Sequence, residues 1–301
     1  MRKRELAFYL DPEGAQRRSI MKELADVGIR LIGTDGFSWD PDRDRDRIDN
    51  FRRDCAEFGL SVHSMHAVHP LLARADAETP PDLMEALERD LRRLVLLGGR
   101  TAVYHACLLR DVPEEKVEGA IDAAGWEAFA ERTGRTIRRL AREAADAGIT
   151  IVLENVWICR YSKSIEGIRR IIEAAEASNV GFILDSGHAN LCGFSVADEI
   201  RRAGALLRDT HFHDNAGARV GVDQHIPPGL GTIDWQDACR ALDEIAFAGP
   251  VVFEGVLGPG DSIEKGRFGG KLSHKDLIHI TLNNWRAFEA LAEQKSPRGV
   301  S

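Results

Sequence analysis

Short apolar runs alternate with longer stretches of helical period along the whole chain. The runs read LAFYL, IRLIGTD, LSVHSMHAV, TAVYHAC, TIVLENV, VGFILDS, RDTHFHD and PVVFEGV. Near-continuous hydrophobic runs of this kind suit strands of a parallel sheet buried on both faces. Between them, SIMKELADVG, DRIDNFRRDCAEFG, DLMEALERDLRRLVLLGG, TIRRLAREAADAG, SIEGIRRIIEAAEAS, VADEIRRAGALL and DWQDACRALDEIA repeat apolar residues at three- and four-residue spacing, which predicts helices. Gly28, Gly59, Gly98 and Gly148 stand at the ends of four such stretches, where helices often close on glycine. A last helix is predicted over KDLIHITLNNWRAFEALAEQ. Strand and helix alternating about eight times predict an α/β fold, a (β/α)8 TIM barrel. We expect one barrel domain over residues 1–301, with 295–301 as a flexible tail. A doubly wound open sheet is the competing architecture. It would usually carry a glycine-rich first turn, whereas the first run here leads into YLDPEG.

Composition narrows the partners. Lys and Arg total 40 against 48 Asp and Glu, a formal charge of -8, so no global positive field invites a polyanion and a nucleic-acid partner is not expected. The basic start MRKRE precedes an apolar stretch too short for a signal peptide, and no run reaches membrane-spanning length. Cys55, Cys107, Cys159, Cys192 and Cys239 include no CxxC pair and are read as reduced packing residues of a cytoplasmic protein. A homo-oligomer is compatible with this composition.

The chemistry lies at the C-terminal tips of the runs. Glu154, Asp185 with His188, His211 with His213, and Glu254 each close an apolar stretch. A barrel gathers such tips at one rim. Burying an unpaired carboxylate costs several kcal/mol, so Glu154, Asp185 and Glu254 require solvent, a basic partner or a cation. With His211 they make a mixed oxygen and nitrogen set suited to Mn, Zn, Fe or Co; the alternative is that each acid pairs with an arginine. His211 and His213, two apart, would face the same way along a strand, so either could serve as ligand, and one could simply hydrogen-bond Asp214 nearby. Asp223 and His225 stand in a Pro/Gly-rich loop ahead of a helix predicted to start at Asp234.

The motifs LEN, LDSGH, HFHDN, DQHIPPGLGTIDW and FEG, in this order and spacing, resemble the sugar phosphate isomerase/epimerase superfamily, which shares the xylose-isomerase-like TIM barrel with the endonuclease IV group. The resemblance covers nearly the whole barrel. It implies Glu154, Asp185, His211 and Glu254 as ligands of one catalytic divalent ion (Mn, Zn, Co, Fe or Mg), with His213 as the alternative to His211. It further implies Glu154 and Glu254 as an acid/base pair on opposite faces of a sugar, and His188 as a group orienting a substrate oxygen. Isomerisation, epimerisation and an inosose-type polyol dehydration all need much the same site. His66, His105, His188, Asp223 and His225 also stand where the endonuclease IV group places further zinc ligands, so a multinuclear zinc phosphodiesterase is the alternative, with Asp223, His225 and His188 as additional metal ligands. Substrate contacts are expected from His66, His105, Trp157, His188 and Arg219. A phosphate cradle is considered at Arg267, Gly269, Gly270 and Lys271; His63, His274 and His279 are given no catalytic role.

Overall fold

The computed structural model describes residues 4–34, 39–257 and 272–294. Eight strands, β1 (Leu6–Tyr9), β2 (Leu31–Thr34), β3 (Ser61–His66), β4 (Thr101–His105), β5 (Thr150–Glu154), β6 (Val180–Asp185), β7 (Leu207–His211) and β8 (Val251–Phe253), match the eight apolar runs. Among the described residues the strand pairings are all parallel, each strand lies beside its sequence neighbour, and β8 returns to β1. The ring closes just past β7, where Phe212 bridges Phe253 and donates its N–H to the Val252 carbonyl at 2.8 Å. This is a TIM barrel, and the closure removes the open-sheet alternative.

The helices α1 (Arg17–Asp26), α2 (Arg45–Glu57), α3 (Pro81–Leu97), α4 (Glu114–Ala124), α5 (Trp126–Asp146), α6 (Ile165–Ala175), α7 (Ser186–Leu191), α8 (Val196–Ala203), α9 (Trp235–Glu244) and α10 (His274–Gln294) fill the crossovers. Two of them depart from the sequence reading. The stretch before TIRRLAREAADAG is helical from Glu114 onward, broken only at Gly125, whose φ of 83° interrupts the ladder. The one-and-a-half-turn α7 is too short for its period to show in sequence. The glycines predicted to end helices, Gly28, Gly59, Gly98 and Gly148, all have positive φ.

Alternation along the strands decides what faces the lumen. Phe8, Tyr104, Leu153, Leu184 and Phe253 belong to the large core between strands and helices. Their neighbours Val103, Val152 and Ile183 form a separate packed cluster, as do Ala7, Tyr9 and Val252, which is the inner filling of the barrel. Period two then turns His105, Glu154, Asp185 and Glu254 inward as well, one layer above that filling. Two register shifts adjust the phase. Ile32 pairs with Val62 but Gly33 with Ser64, and the extra residue in β3 lets both His63 and His66 reach groups inside the barrel. Phe182 pairs with Leu207 but Ile183 with Asp209, which aligns Asp209 with His211.

Below the rim, His63 Nε2 lies 2.9 Å from Asp209 Oδ2 across the barrel, consistent with a structural His63. Burial depresses the His63 pKa, but the Asp209 carboxylate outweighs it and raises it above the usual value. A raised folded pKa means stabilisation that is complete below about pH 6.5 and lost as pH rises through the folded value. Asp209→Asn is therefore expected to destabilise by about 1–3 kcal/mol near pH 6 and by less near pH 9. Urea unfolding at the two pH values checks this; an equal loss at both would refute the ion pair.

Candidate metal centre

Glu154, Asp185 and His211 are the last residues of β5, β6 and β7, and Glu254 follows the last residue of β8. One donor atom from each lies within 4.8 Å of the others. His211 Nδ1 is 3.1 Å from Glu154 Oε1 and 3.3 Å from Glu254 Oε1. Glu154, Asp185 and His211 are at most 1% exposed, so water does not neutralise them. Among the described residues every ionic partner of Glu154, Asp185, Glu254 and Asp223 is a histidine, and no arginine or lysine pairs with any of them. The arginine alternative is thereby excluded there. A buried cluster of carboxylates tempered only by imidazoles is a donor set that fits a divalent cation.

Two further groups share its glutamates. His66 Nε2 and His105 Nε2 lie 3.1 and 3.2 Å from Glu154 Oε2 and 3.0 Å from each other. His213, His225 and Glu254 form the other. The His213 and His225 rings stack at 3.9 Å, and glycine makes room for both. A Cβ on Gly187 would lie 1.9 Å from His213 Cε1, and one on Gly255, at φ +68°, would lie 2.1 Å from His225 Cδ2. His225 itself adopts φ 42°, an uncommon backbone for a side chain of its size.

The expectation that one histidine of the pair bonds Asp214 needs correction: His211 Nδ1 lies against Glu154, and His213 turns to a different acid. Its Nε2 bonds Asp185 Oδ2 at 3.0 Å, not Asp214. Asp214 instead accepts the backbone N–H groups of Gly229 and Thr232 and the Trp235 indole, at 2.9, 3.1 and 2.8 Å. It thereby folds the PPGLGTIDW loop back on β7. Asp214 and Ile226 also bridge through their backbones, which presents Asp223 and His225 to the rim. His213 is past the end of β7, so two-residue strand spacing does not govern it.

His188 Nδ1 bonds the Asn155 carbonyl at 2.7 Å, and its Nε2 is 3.4 Å from Asp223 Oδ2. Asn155 is a residue the sequence reading passed over. Its amide bonds the Asp185 carbonyl at 2.9 Å and receives the Asp185 N–H at 2.7 Å, fastening β5 to β6 at the height of the acids. Its position directly after Glu154 was the available signal. Asp185 caps α7 by accepting the His188 N–H at 2.6 Å. Trp157 is exposed at the mouth with its ring 4.6 Å edge-on from His188. Arg219 is exposed in the β7–α9 loop. Arg267, Gly269, Gly270, Lys271 and the 295–301 tail lie outside the described residues.

The electrostatics split the two glutamates. Burial pushes Glu154 upward, but the imidazoles of His211, His105 and His66 hold its carboxyl well below the usual range. Burial pushes Glu254 well above that range, and the charges of Glu154 and Asp185 reinforce it against His211. Burial opposes charge on His211, yet Glu254 and Glu154 lift it to about 9. His225, half-buried beside His213, falls to about 4, through desolvation first and the neighbouring imidazole second.

Comparison with known proteins supplies the kinship. Over 134 residues the chain is 27% identical to a D-psicose 3-epimerase of Enterocloster bolteae, covering 44% of this chain and 42% of that one. Over 179 residues it is 31% identical to a probable endonuclease 4 of Methanoculleus marisnigri, covering 54% of this chain and 59% of that one. The matches thus span less than two thirds of either relative. The solved structure of an L-ribulose 3-epimerase superposes with a TM-score of 0.72 over 99% of this chain and 100% of that one, at 17% identity, a likeness of fold. No described helix is long and apolar enough to cross a membrane. The family model of the xylose isomerase-like TIM barrel matches residues 21–267, and the chain belongs to that family.

Proposed function

We propose that this protein is a divalent-metal-dependent isomerase or epimerase of a sugar or polyol, moving a proton on the carbon beside a carbonyl. The observation that carries this reading is the pair Glu154 and Glu254, brought from β5 and β8 to within 3.1 and 3.3 Å of one imidazole nitrogen. Glu154, Asp185, His211 and Glu254 would hold the ion. A bound cation supplies positive charge that stabilises an enediolate as negative charge develops on the substrate oxygens. Glu254, whose carboxyl burial pushes well above the usual carboxylate range, exchanges a proton with the substrate carbon on one face. Glu154 serves the other face. Donation from His188 Nε2 orients a substrate oxygen; its Nδ1 is occupied by the Asn155 carbonyl. His66 and His105 line the wall beside Glu154, the Trp157 face offers a surface for sugar C–H groups, and Arg219 reaches a hydroxyl from the rim. The epimerases among the relatives and structural neighbours point the same way.

The test is proton exchange. Manganese- or cobalt-loaded protein in D2O is expected to place deuterium on the carbon next to the carbonyl of at least one ketose or inosose, detected by NMR. Inososes belong in the screen because dehydration of such polyols begins with the same abstraction. No exchange across the panel overturns the proposal.

A second reading, a multinuclear zinc phosphodiesterase, is favoured by the two flanking histidine groups that share Glu154 and Glu254 and by the endonuclease relative. It predicts about three ions per chain and cleavage of an abasic duplex. Elemental analysis of the purified protein separates the two, since one tightly held ion supports the isomerase.

A further inference from the structure

We propose that the mouth of the candidate metal centre carries an apolar subsite for an uncharged aryl group attached to the sugar or polyol, formed by Trp157 of the β5–α6 loop with Val220 and Val222 of the β7–α9 loop. The inference rests on the isomerase reading and narrows its substrate class. The substrate is a ketose or inosose bearing an aromatic ring, linked through an oxygen remote from the reacting carbons.

Among the described residues six large apolar side chains are exposed: Val68, Val95, Trp157, Val220, Val222 and Leu291. Val95 and Leu291 lie on helices α3 and α10, whereas the other four follow β3, β5 and β7, at the end of the barrel where the carboxylates converge. Apolar side chains scattered over a surface need no explanation, but their concentration at the rim of a site marks a ligand or partner. Contacts tie both loops to the centre. The ring centroids of Trp157 and His188 are 4.6 Å apart, and His188 Nδ1 is 3.8 Å from Glu154 Oε1. The other imidazole nitrogen, Nε2, is 3.4 Å from Asp223 Oδ2, and Val222 directly precedes Asp223. A single imidazole thus separates the indole from a carboxylate of the metal set.

Both loops are closed on themselves. The Val156 N–H meets the Ser162 carbonyl at 2.8 Å and Ser162 Oγ donates to the Val156 carbonyl at 2.9 Å, which fixes the stretch presenting Trp157. Asp214 and Ile226 exchange backbone hydrogen bonds of 2.7 and 3.1 Å, and the Ala216 N–H reaches Gln224 Oε1 at 2.8 Å. The Val220 N–H turns back to the Gly217 carbonyl at 3.1 Å. Apolar groups held out in water by closed loops are preorganised, so a ring settling on them loses little to ordering. The occupant belongs to the substrate, because a protein docked here would stand over the mouth through which a polyol enters. Asp223 and Arg219 of the same loop balance in charge, so nothing there selects an ionic substituent.

Calorimetry on manganese-loaded protein measures the binding of D-fructose, D-psicose and their 6-O-benzyl ethers, which carry the ring on the hydroxyl furthest from the carbonyl. At least one ether is expected to bind about tenfold or more tightly than its parent, the scale of one aromatic ring packed on an indole. Its heat-capacity change should also be more negative, the mark of apolar burial. Trp157→Ala and Val222→Ser are each expected to bring the ratio of the two affinities down toward one. Both side chains are exposed, so neither substitution threatens the fold. Ethers that bind no better than their parents, or a preference untouched by both substitutions, overturn the proposal. Deuterium exchange separates this failure from that of the isomerase reading. Exchange into a parent sugar without preference for its ether removes the subsite alone, whereas tighter binding of an ether with no exchange in any sugar removes the isomerase reading and leaves a binding site.

Discussion

Glu254→Gln is expected to lower kcat by about 10²–10⁴-fold, the usual contribution of a positioned acid or base, while leaving the content of tightly bound metal close to that of the wild type. The amide keeps one carbonyl oxygen on the side of His211 but cannot carry the proton. Loss of turnover with metal retained therefore separates proton transfer from ligation, a distinction that an alanine substitution would blur. Glu154→Gln should act in the same direction with an added structural cost. Glu154 Oε2 faces both His66 and His105, and an amide NH2 placed there would compete with two imidazoles for donor and acceptor roles. Steady-state kinetics on a substrate found by deuterium exchange, with metal content measured on the same samples, is the check. Turnover within a few-fold of wild type in both variants would remove the paired-base mechanism and leave the carboxylates as ligands only.

The barrel was legible because its strands are buried on both faces and its helices on one, so period and run length carry the fold directly. Glu154, Asp185, His211 and Glu254 were legible for a related reason. Each is a charged residue at the end of an otherwise apolar run, and a closed barrel places such ends at one rim. What the sequence concealed depends on contacts between distant loops. Asp214 looks like a candidate partner for either histidine, but only the folded PPGLGTIDW segment shows its oxygens taken by backbone N–H groups and the Trp235 indole. Asn155 and Ser186 carry no charge to advertise them. Yet Asn155 fastens β5 to β6, and Ser186 Oγ, 2.7 Å from the His213 carbonyl and 3.0 Å from its amide nitrogen, fixes the turn that follows β7. The role of His63 depended on an extra residue in β3 that alternation alone does not reveal.

Metal binding should be visible in stability, and its pH dependence tests the site independently of turnover. Manganese at about a hundred times its dissociation constant is expected to stabilise the fold by about 2.7 kcal/mol, a rise in Tm of about 5–11 °C at the usual 2–4 °C per kcal/mol for larger domains. To ligate through Nδ1, His211 must lose the proton that Glu254 and Glu154 hold on it up to about 9 in the metal-free protein, against the opposing effect of burial. Each pH unit below about 9 then weakens the ion by about tenfold, or 1.4 kcal/mol, with the raised Glu254 steepening the trend. The metal-free protein moves the other way. His211 has a folded pKa above its unfolded one, so the charge pairing is fully stabilising below about pH 6.5 and fades as pH rises toward about 9. The gap between loaded and chelated melting temperatures should therefore widen from pH 6 to pH 9. His211→Ala should narrow the gap and flatten its slope, because both the ligand and the competing proton are gone. Melting temperatures indifferent to chelator and to Mn, Zn, Co, Fe and Mg across this range would mean that the buried carboxylates are neutralised by imidazolium alone.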